Sequence, residues 1–290
     1  MSVSVGVIGS INLDLVASGA PLPKAGETVT GARFAQHPGG KGANQALAAR
    51  RLGAEVKMAG CVGDDALAES ALRLLRQDGV DLQAVMSEIG AATGVALIAV
   101  SGAGENQITV ASGANARVSA GDVSALPPCD TLLCQLEVPV PAIEAAAERA
   151  EITGERLMIN LAPAVTVPDF VLRQASVLIV NEIEAAFYGD ALHQGEALVI
   201  VTLGQAGAVA YRNGVEVARV PAFEVEAVDT TGAGDTFCGA LAVALAEAQP
   251  IDQALRFASA AAALAVTRPG AQPSLPWRAQ VDHFLQSSPG

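Results

Sequence analysis

Short runs of β-branched residues and leucine alternate with alanine-rich stretches along most of this 290-residue chain, and the alternation limits the possible folds more than any other feature. Strands that alternate with helical segments are typical of βαβ units, in which parallel strands form one sheet. The strand-like runs are apolar almost throughout, which indicates burial on both faces. We therefore predict an α/β protein with a mostly parallel central sheet covered by helices on both faces.

The individual elements follow from the same pattern. The predicted strands are Val3–Ile8, Val56–Cys61, Thr131–Gln135, Leu157–Asn160, Val177–Val180 and Leu198–Thr202. The predicted helices are Ala43–Leu52, Leu67–Asp78, Pro141–Ala150, Ile183–Tyr188, Ala233–Glu247 and Ile251–Val266.

Three regions have the pattern of hairpins instead. Ala208–Arg212 and Glu216–Val220 flank Asn213-Gly214, which is a strong hairpin signal. Thr28–Gln36 and Gly94–Ala111 also resemble hairpin strands, and we predict that they form a small separate sheet. The faces of that sheet are partly apolar, so they need cover from a ligand or from a second subunit.

Charge and hydropathy exclude several classes of partner. The chain has 17 basic and 30 acidic residues, a net charge of −13, which argues against nucleic acid or an anionic membrane as partner. No apolar run approaches the roughly 20 residues that span a bilayer, and the first residues do not resemble a signal peptide. The four cysteines lack zinc-site spacing, so we expect reduced thiols and a cytoplasmic protein.

The segment from Asp229 to Phe237 is the strongest candidate for chemistry. Its sequence, Asp-Thr-Thr-Gly-Ala-Gly-Asp-Thr-Phe, leads directly into an alanine-rich helix. Gly232 and Gly234 allow a tight turn in which the first N–H groups of the helix face an anion such as phosphate. Asp235 is then either a helix-capping residue or a general base for a hydroxyl that attacks phosphorus.

A second glycine-rich segment, Gly39-Gly40-Lys41-Gly42-Ala43-Asn44-Gln45-Ala46, also leads into a helix. It is not a Walker A loop, because Gly42 follows Lys41 where that motif has Ser or Thr. One interpretation is a tight turn with a solvent-exposed lysine. The other is a binding loop in which Asn44 orients hydroxyl groups, and the rarity of lysine in this chain favours it.

Polar residues also follow several predicted strands. Asn12 and Asp14 alternate after the first strand, so they project to one side of an extended chain and suit either a polyol or a turn. Ligands of open α/β sheets bind at the carboxyl ends of strands, where the sequence places further polar groups. These are Gln135, Glu137, Asn181, Glu184 and the segment from Thr202 to Gly204.

Together these motifs resemble a known family. Residues 229–237 resemble the C-terminal signature of the ribokinase-like (PfkB) carbohydrate kinases, and residues 39–46 resemble their N-terminal signature. The resemblance extends over nearly the whole chain through residues 9–12, 93–98, 135–137 and 265–274. It implies a single ribokinase-like α/β domain over residues 1–290, with the strands of a β-sheet lid inserted at about 10–38 and 93–113.

The resemblance also implies roles for individual residues. Asp235 would be the catalytic base, and Gly232, Ala233 and Gly234 would form the anion hole. The implied sugar site comprises Asn12, Asp14, Gly40, Lys41, Gly42, Ala43, Asn44, Glu137 and Asp235. The implied nucleotide contacts are Asn181, Thr202, Leu203, Gly204, Gln205, Ala206, Gly207, Gly234, Asp235 and Ser259.

Two cations belong to the implied chemistry. Glu184, together with Asn181, matches a family motif that places Mg²⁺ and phosphate through water. A monovalent cation, usually K⁺, would order the anion-hole loop through oxygen atoms, several of them main-chain carbonyls. The matching positions are Asp229, Thr231, Ala265, Arg268, Gly270 and Ser274.

The expected activity is ATP-dependent phosphorylation of D-ribose at O5, which gives D-ribose 5-phosphate and ADP, by a homodimer formed through the lid sheet. Two alternatives stay open. One is a kinase for another small sugar or a nucleoside, such as 2-deoxyribose, fructose or adenosine. The other is a non-catalytic sugar-binding relative, which the short stretch between Asn181 and Thr202 would favour.

Overall fold

The structure is a computed structural model that describes residues 2–287, and this part of the chain contains thirteen strands and nine α-helices. The strands are β1 Ser4–Ile8, β2 Asn12–Ser18, β3 Arg33–Gly39, β4 Glu55–Gly63, β5 Asp81–Glu88, β6 Gly94–Val100, β7 Asn106–Ala111, β8 Thr131–Gln135, β9 Arg156–Asn160, β10 Val177–Asn181, β11 Leu198–Thr202, β12 Ala208–Arg212 and β13 Val215–Val220. The helices are α1 Lys41–Arg51, α2 Ala66–Gln77, α3 Ala120–Ala125, α4 Val140–Thr153, α5 Asp169–Gln174, α6 Glu182–Tyr188, α7 Ala233–Ala246, α8 Ile251–Ala265 and α9 Arg278–Ser287.

Nine of the strands form the central sheet, in the order β13-β12-β11-β10-β9-β8-β1-β4-β5. Every pairing from β11 to β5 is parallel, whereas β12 pairs antiparallel with both of its neighbours. The carboxyl ends of β1, β8, β9, β10 and β11 therefore meet at one edge of the sheet. This edge is where polar strand-end residues were predicted to converge.

Two apolar cores lie on opposite faces of the central sheet, and successive strand residues alternate between them. In β8, Leu133 belongs to the core with α1, α7 and α8, whereas Leu132 and Cys134 belong to the core with α4. In β9, Met158 faces the first core and Ile159 the second. The prediction of a sheet covered on both faces is confirmed. No helix within residues 2–287 is long and apolar enough to cross a membrane.

A second sheet of four strands, in the order β3-β2-β6-β7, forms a separate layer that we call the lid sheet. Its outer pairings are antiparallel, and the central pair β2 and β6 is parallel. The predicted small sheet is thus present, and its strands lie within residues 10–38 and 93–113 except for Gly39 at the end of β3. The assignment of residues 1–290 to one domain stays a prediction, and Met1 and residues 288–290 lie outside the described part.

Several element boundaries differ from the sequence-based prediction. The strand predicted at Thr28–Gln36 begins only at Arg33 and continues to Gly39, because Gly31 has a φ of +88° that an extended strand does not adopt. The edge strand β5 was not predicted, because polar and apolar residues are mixed along it and its hydrophobic pattern is weak. The strands Thr131–Gln135 and Leu198–Thr202 are confirmed at both ends.

The close packing of α1 against α7 positions the candidate site. Gly239 in α7 faces α1, and a Cβ there would lie 2.7 Å from both the Ala48 Cβ and the Gln45 carbonyl oxygen. At the start of α1, a Cβ on Gly42 would lie 2.6 Å from the carbonyl carbon of Gly9. These two glycines allow α1 to approach both the end of β1 and the first turns of α7.

Two side-chain clusters fix the base of the lid sheet. The Asp65 carboxylate caps α2 and also accepts hydrogen bonds from the Thr93 N–H at 2.8 Å and the Thr93 hydroxyl at 2.7 Å. Asn115 donates to the Asn12 side-chain oxygen at 2.7 Å and accepts from the Ile11 N–H at 2.8 Å. Side chains from the start of α2 and from the 3₁₀ turn Gly113–Arg117 therefore hold the starts of β2 and β6 in place.

Candidate active site

The glycine-rich segment before α7 forms a tight turn. Gly232 is the residue before the helix and has a left-handed φ of +77°, which favours glycine. The Ala233 N–H donates to the Thr230 carbonyl at 3.2 Å and so closes the turn. Within residues 2–287 no acceptor takes the Gly234 N–H, and a Cβ on Gly234 would meet open space. Of the predicted anion-hole donors, the Ala233 N–H is used within the turn, whereas Gly234 adjoins free space.

Asp235 lies in the first turn of α7, and its carboxylate is buried. Asn44 donates to Oδ2 at 2.8 Å, and Gln45 donates to Oδ1 at 3.0 Å. Burial raises the pKa of Asp235, while Lys41 and the two amide hydrogen bonds oppose that rise. Its hydrogen bonds come from α1 rather than from the start of its own helix, so the side chain is not a helix cap.

Lys41 begins α1, and its ammonium lies among carboxylates. Its Nζ is 3.9 Å from Glu137 Oε1, and its backbone N–H donates to Glu137 Oε2 at 3.3 Å. Burial lowers the pKa of Lys41, but the charges of Asp235, Glu137 and Glu184 together raise it by more. The pKa therefore lies above its usual value. The Ser10 hydroxyl donates to the same oxygen, Glu137 Oε2, at 2.6 Å.

Asp14 and Asn12 lie at the start of β2 on the same face of the lid sheet. Burial, then Glu137, then Asp235 raise the pKa of Asp14 to about 7. A Cβ on Gly39, which neighbours β2 in the lid sheet, would lie 2.4 Å from both carboxylate oxygens of Asp14. Asp14, Glu137 and Asp235 are thus close enough to interact electrostatically, and all three belong to the predicted sugar site.

A cavity of about 190 Å³ adjoins Asp235 on the side of the carboxyl ends of β10 and β11. It joins predicted sugar-side, catalytic and nucleotide-side residues in one space. Asn181 caps α6 by accepting from the Glu184 N–H at 2.9 Å, and the Glu184 carboxylate accepts from the Asn181 N–H at 2.8 Å. The lining residues are Lys41, Asn160, Ala162, Ile179, Val180, Asn181, Glu184, Thr202, Gly232, Gly234, Asp235 and Cys238.

The rest of the predicted nucleotide site is further from this cavity. After Thr202, the chain makes a 3₁₀ turn over Gly204–Ala206, which the Leu203 N–H closes by donating to the Gly207 carbonyl at 2.8 Å. Leu203, Gln205 and Gly207 do not line the cavity, and neither does Ser259, which is buried in α8. Their nucleotide contacts stay predictions.

The predicted monovalent-cation residues lie in two adjoining segments, one before α7 and one that begins at Ala265, the last residue of α8. Asp229 joins them, because its Oδ1 accepts from the Thr231 N–H at 2.9 Å and its Oδ2 accepts from the Gly270 N–H at 2.8 Å. The Ala265 carbonyl accepts from the Arg268 N–H at 3.3 Å. The Ser274 hydroxyl donates to the Ala271 carbonyl at 2.8 Å. All the available ligands are oxygen atoms next to the anion-hole turn, which fits a hard cation.

The implied Mg²⁺ site offers fewer protein ligands than the implied monovalent-cation site. No group of three or more His, Cys, Asp or Glu side chains suited to a metal occurs among residues 2–287. Glu184 contributes one carboxylate to the cavity beside Asn181. Mg²⁺ is commonly held by one or two carboxylates together with water and substrate phosphates, so this sparse set fits it.

Four polar residues around the site are not among the implied sugar, nucleotide or cation residues, although Gln135 was named as a polar strand-end residue. Gln45 and Asn160 contact Asp235 directly or through one another, Gln135 contacts Gln45, and Asn115 contacts Asn12. Gln45 stands inside the N-terminal motif, and Gln135 and Asn160 end adjacent strands, so their positions carried a signal. Asn115 lies 103 residues from Asn12, and no local pattern indicates the contact.

Comparison with known proteins identifies the family. The model of the pfkB family carbohydrate kinases matches residues 3–278. The chain is 38% identical over 299 residues to a ribokinase of Haemophilus influenzae, with 97% of each chain covered. It is 34% identical over 301 residues to a deoxyribokinase of Salmonella typhi, covering 97% of this chain and 98% of the relative.

Among solved structures, the ribokinase of Arabidopsis thaliana, complexed with ribose and ATP, superposes with a TM-score of 0.89 at 30% identity. The superposition covers 99% of this chain and all of the plant chain. The predicted ribokinase-like fold is therefore confirmed at the level of the whole chain. The chain belongs to the pfkB family of carbohydrate kinases.

Proposed function

We propose that this protein transfers the γ-phosphoryl group of ATP to the 5-hydroxyl of D-ribose. The observation that carries this proposal is the position of Asp235, a buried carboxylate between the sugar-side carboxylates and the cavity at the ends of β10 and β11. A ribokinase at 38% identity and a superposable ribokinase with ribose and ATP support the choice of both substrates.

In the proposed reaction, Asp235 accepts the proton of the ribose 5-hydroxyl. The oxygen forms a bond to the γ-phosphorus while the bond from that phosphorus to the β,γ-bridging oxygen breaks, and ADP leaves with the electron pair of that bond. The Gly234 N–H is directed to stabilise negative charge on the transferring phosphoryl group. Asn44, whose amide nitrogen is 2.8 Å from Oδ2, holds the carboxylate in place.

The sugar side combines acceptors with one cation. We propose that Asp14 and Glu137 accept hydrogen bonds from ribose hydroxyls and that Asn12 donates one. The Asn115 amide occupies the Asn12 oxygen, which leaves the Asn12 NH₂ for the ligand. Lys41 balances part of the charge of the carboxylates and lies within reach of the phosphoryl group from the cavity.

Two cations complete the proposal. Mg²⁺ bound to the nucleotide would neutralise phosphate charge, and Glu184 with Asn181 would hold its water shell. K⁺ would lie between the segments that Asp229 joins, through oxygen atoms of Thr231, Ala265, Arg268, Gly270 and Ser274. The chain has no lysine or arginine between Arg173 and Arg212 or between Arg219 and Arg256, so helix-end N–H groups and cations must meet the charge of ATP.

We also propose a homodimer in the cytoplasm. Ile108 and Val110 of β7 are 54% and 48% exposed, and they lie on the same face of the lid sheet as Asp14. A second copy would cover this apolar surface and close the sugar site. All four cysteines are free thiols, which suits a reducing compartment.

The decisive experiment is an assay of ADP release that depends on added D-ribose. Asp235→Asn removes the proton acceptor but retains the shape, so we expect turnover to fall by about 10²- to 10⁴-fold while ribose binding persists. Asp252→Asn, at an acidic residue near the start of α8, is the matched control. Turnover by Asp235→Asn equal to that of the control would refute the assignment of the base.

Two further arms test the cations and the alternatives. Replacing K⁺ by a large organic cation should lower turnover, and removing Mg²⁺ should abolish it. The deoxyribokinase relative favours 2-deoxyribose as a second candidate substrate, so the assay compares both sugars. Calorimetry that detects ribose binding, in a protein that shows no ADP release with any sugar, would favour the non-catalytic alternative.

A further inference from the structure

Three buried amide side chains form a hydrogen-bonded chain that ends on Asp235. The Gln135 NH₂ group donates to Gln45 Oε1 at 2.7 Å, and the Gln45 NH₂ group donates to Asp235 Oδ1 at 3.0 Å. Gln45 also donates to Asn160 Oδ1 at 3.2 Å. Gln45 and Gln135 are both completely buried. We call this set of Gln135, Gln45 and Asn160 the amide chain.

The chemistry of an ionised carboxylate fixes the direction of every bond in the amide chain. Such a carboxylate only accepts hydrogen bonds, so Gln45 must turn its NH₂ group towards Asp235. Its oxygen then faces Gln135, which must present an NH₂ group in turn. Asn160 donates to the Ile179 carbonyl at 3.3 Å, so its own oxygen faces Gln45. The orientation of Gln45 is thus fixed from two sides.

The backbone makes room for this arrangement at two glycines. A Cβ on Gly9, the residue after β1, would lie only 1.9 Å from Gln135 Oε1. A Cβ on Gly239 would lie 2.7 Å from the Gln45 carbonyl oxygen and would push α1 away from α7. Any larger residue at either position would move the Gln45 and Gln135 amides away from the Asp235 carboxylate.

We propose that Gln45 and Gln135 are positioning residues that keep Asp235 ionised and aimed as a proton acceptor, an inference that rests on the proposed function of Asp235. A proton on Oδ1 would weaken the hydrogen bond from Gln45, because a neutral carboxyl oxygen is a poorer acceptor than a carboxylate oxygen. Turning the Gln45 oxygen towards Asp235 would also bring it against Asn160 Oδ1, and the bond from Asn160 to the Ile179 carbonyl keeps that oxygen in place. Gln135 favours the same orientation of Gln45 by donating to its Oε1.

The amide chain acts against a background of charges. Lys41 from α1 favours the ionised form of Asp235, whereas Glu137 after β8 and Asp14 from β2 oppose it. Cys238, one turn further along α7, has a pKa well above its usual value and stays a neutral thiol, and Glu184 from α6 acts through Lys41. The amides stabilise the ionised carboxylate through hydrogen bonds. Because they are neutral, they add no net charge next to the transferring phosphoryl group.

The test measures the protonation of Asp235 directly. Protein labelled with ¹³C at aspartate side-chain carboxyls is titrated by NMR, and the Asp235 signal is assigned by its loss in Asp235→Asn. We expect Gln45→Met to raise the midpoint by about one pH unit, a tenfold change in proton affinity. Gln135→Met should raise it by less, since Gln45 still donates to Asp235 and Asn160 still favours its orientation. Gln83→Met, at an exposed position of β5, is the control and should leave the midpoint unchanged.

A second readout uses activity. The acid limb of kcat, measured with saturating D-ribose and MgATP, should move in the same order among the variants. If Gln45→Met does not fold, the isosteric Gln45→Glu replaces it, and its added carboxyl should raise the midpoint further. Equal midpoints in wild type and both glutamine variants, with only a loss of thermal stability, would overturn the proposal. Absence of ribose-dependent ADP release from wild type would refute the proposed function, while the NMR midpoints would still decide the role of the amides.

Discussion

Asp14 has a proposed role in binding, and the surroundings of its carboxylate oppose folding at high pH. Its carboxylate is buried beside Glu137 and near Asp235, and these surroundings raise its pKa from 3.8 to about 7. A sugar that donates hydroxyl hydrogens would supply the hydrogen bonds that the ionised form lacks. The ionisation of Asp14 is therefore unfavourable in the free protein, and a bound polyol would make it less so.

The raised pKa of Asp14 makes the folded protein less stable at high pH. Because the folded pKa lies above the unfolded one, the contribution of Asp14 to the free energy of unfolding is fully present below about pH 4. It is lost as the pH rises through about 7. We expect Asp14→Asn to be more stable than wild type at pH 9, by up to about 4 kcal/mol, and to lose ribose phosphorylation. Denaturant unfolding at pH 5 and pH 9 measures this difference. The same pH dependence in both proteins would contradict it.

Among the secondary-structure elements, the first residues of β6 link the lid sheet to the sugar site. Gly94 lies against the hydrogen bond between Asn12 and Asn115, and a Cβ there would lie 2.3 Å from both atoms of that bond. The strand can therefore start at this point only with a residue that has no side chain. Its neighbour Thr93 is held by Asp65, so the strand cannot shift to relieve the contact.

Gly94→Ala should break the hydrogen bond between Asn115 and Asn12 and disorder the Asn12 amide. We expect the KM for ribose to rise at least tenfold, because one bound hydroxyl loses its partner, while the KM for ATP stays within about twofold. Steady-state kinetics with each substrate varied in turn measures both constants. Gly121→Ala in α3 is the control, since its nearest neighbour would be the Ser119 hydroxyl at 3.5 Å. Equal rises in both KM values would show a general loss of structure instead.

The elements also show what the sequence can predict. Apolar strands such as β8 and β11 were predicted to the residue, because burial on both faces leaves a continuous signal. The edge strand β5 was missed, because one solvated edge allows polar residues and weakens the pattern. The glycine motifs likewise indicated Lys41 and Asp235. Asn115 could not be predicted, because its role depends on a partner brought close only by the fold.

At the scale of the whole molecule, the lid sheet has exposed apolar residues that no other part of the described chain covers. Ile108, on the face of the sheet that carries Asp14, and Phe34 and Leu97, on the opposite face, are each more than half exposed. The central domain buries its apolar strands on both faces, so this sheet differs from the rest of the fold. The face with Ile108 and Val110 is the one that we propose a second copy covers.

Ile108→Glu should therefore weaken the proposed dimer. We expect wild type to sediment with about twice the chain mass of 29.2 kDa, and the variant to sediment as a monomer with weaker ribose binding. Val215→Glu, at a residue 65% exposed on β13, is the control and should leave the mass unchanged. A monomeric wild type at micromolar concentration, or a dimeric Ile108→Glu, would disprove the use of this surface.

The two side-chain clusters at the base of the lid sheet have a mechanical consequence. Thr93 is tied to the start of α2 through Asp65, and Ile11 and Asn12 are tied to Asn115, so one end of the sheet is immobilised on the central domain. Any closure must then be a rotation about an axis through that end. Displacement grows with distance from the axis, and Gly102 lies about 25 Å of strand length from it. The turn at residues 102–104 would therefore travel furthest, while Asn12 and Asp14 would keep their places.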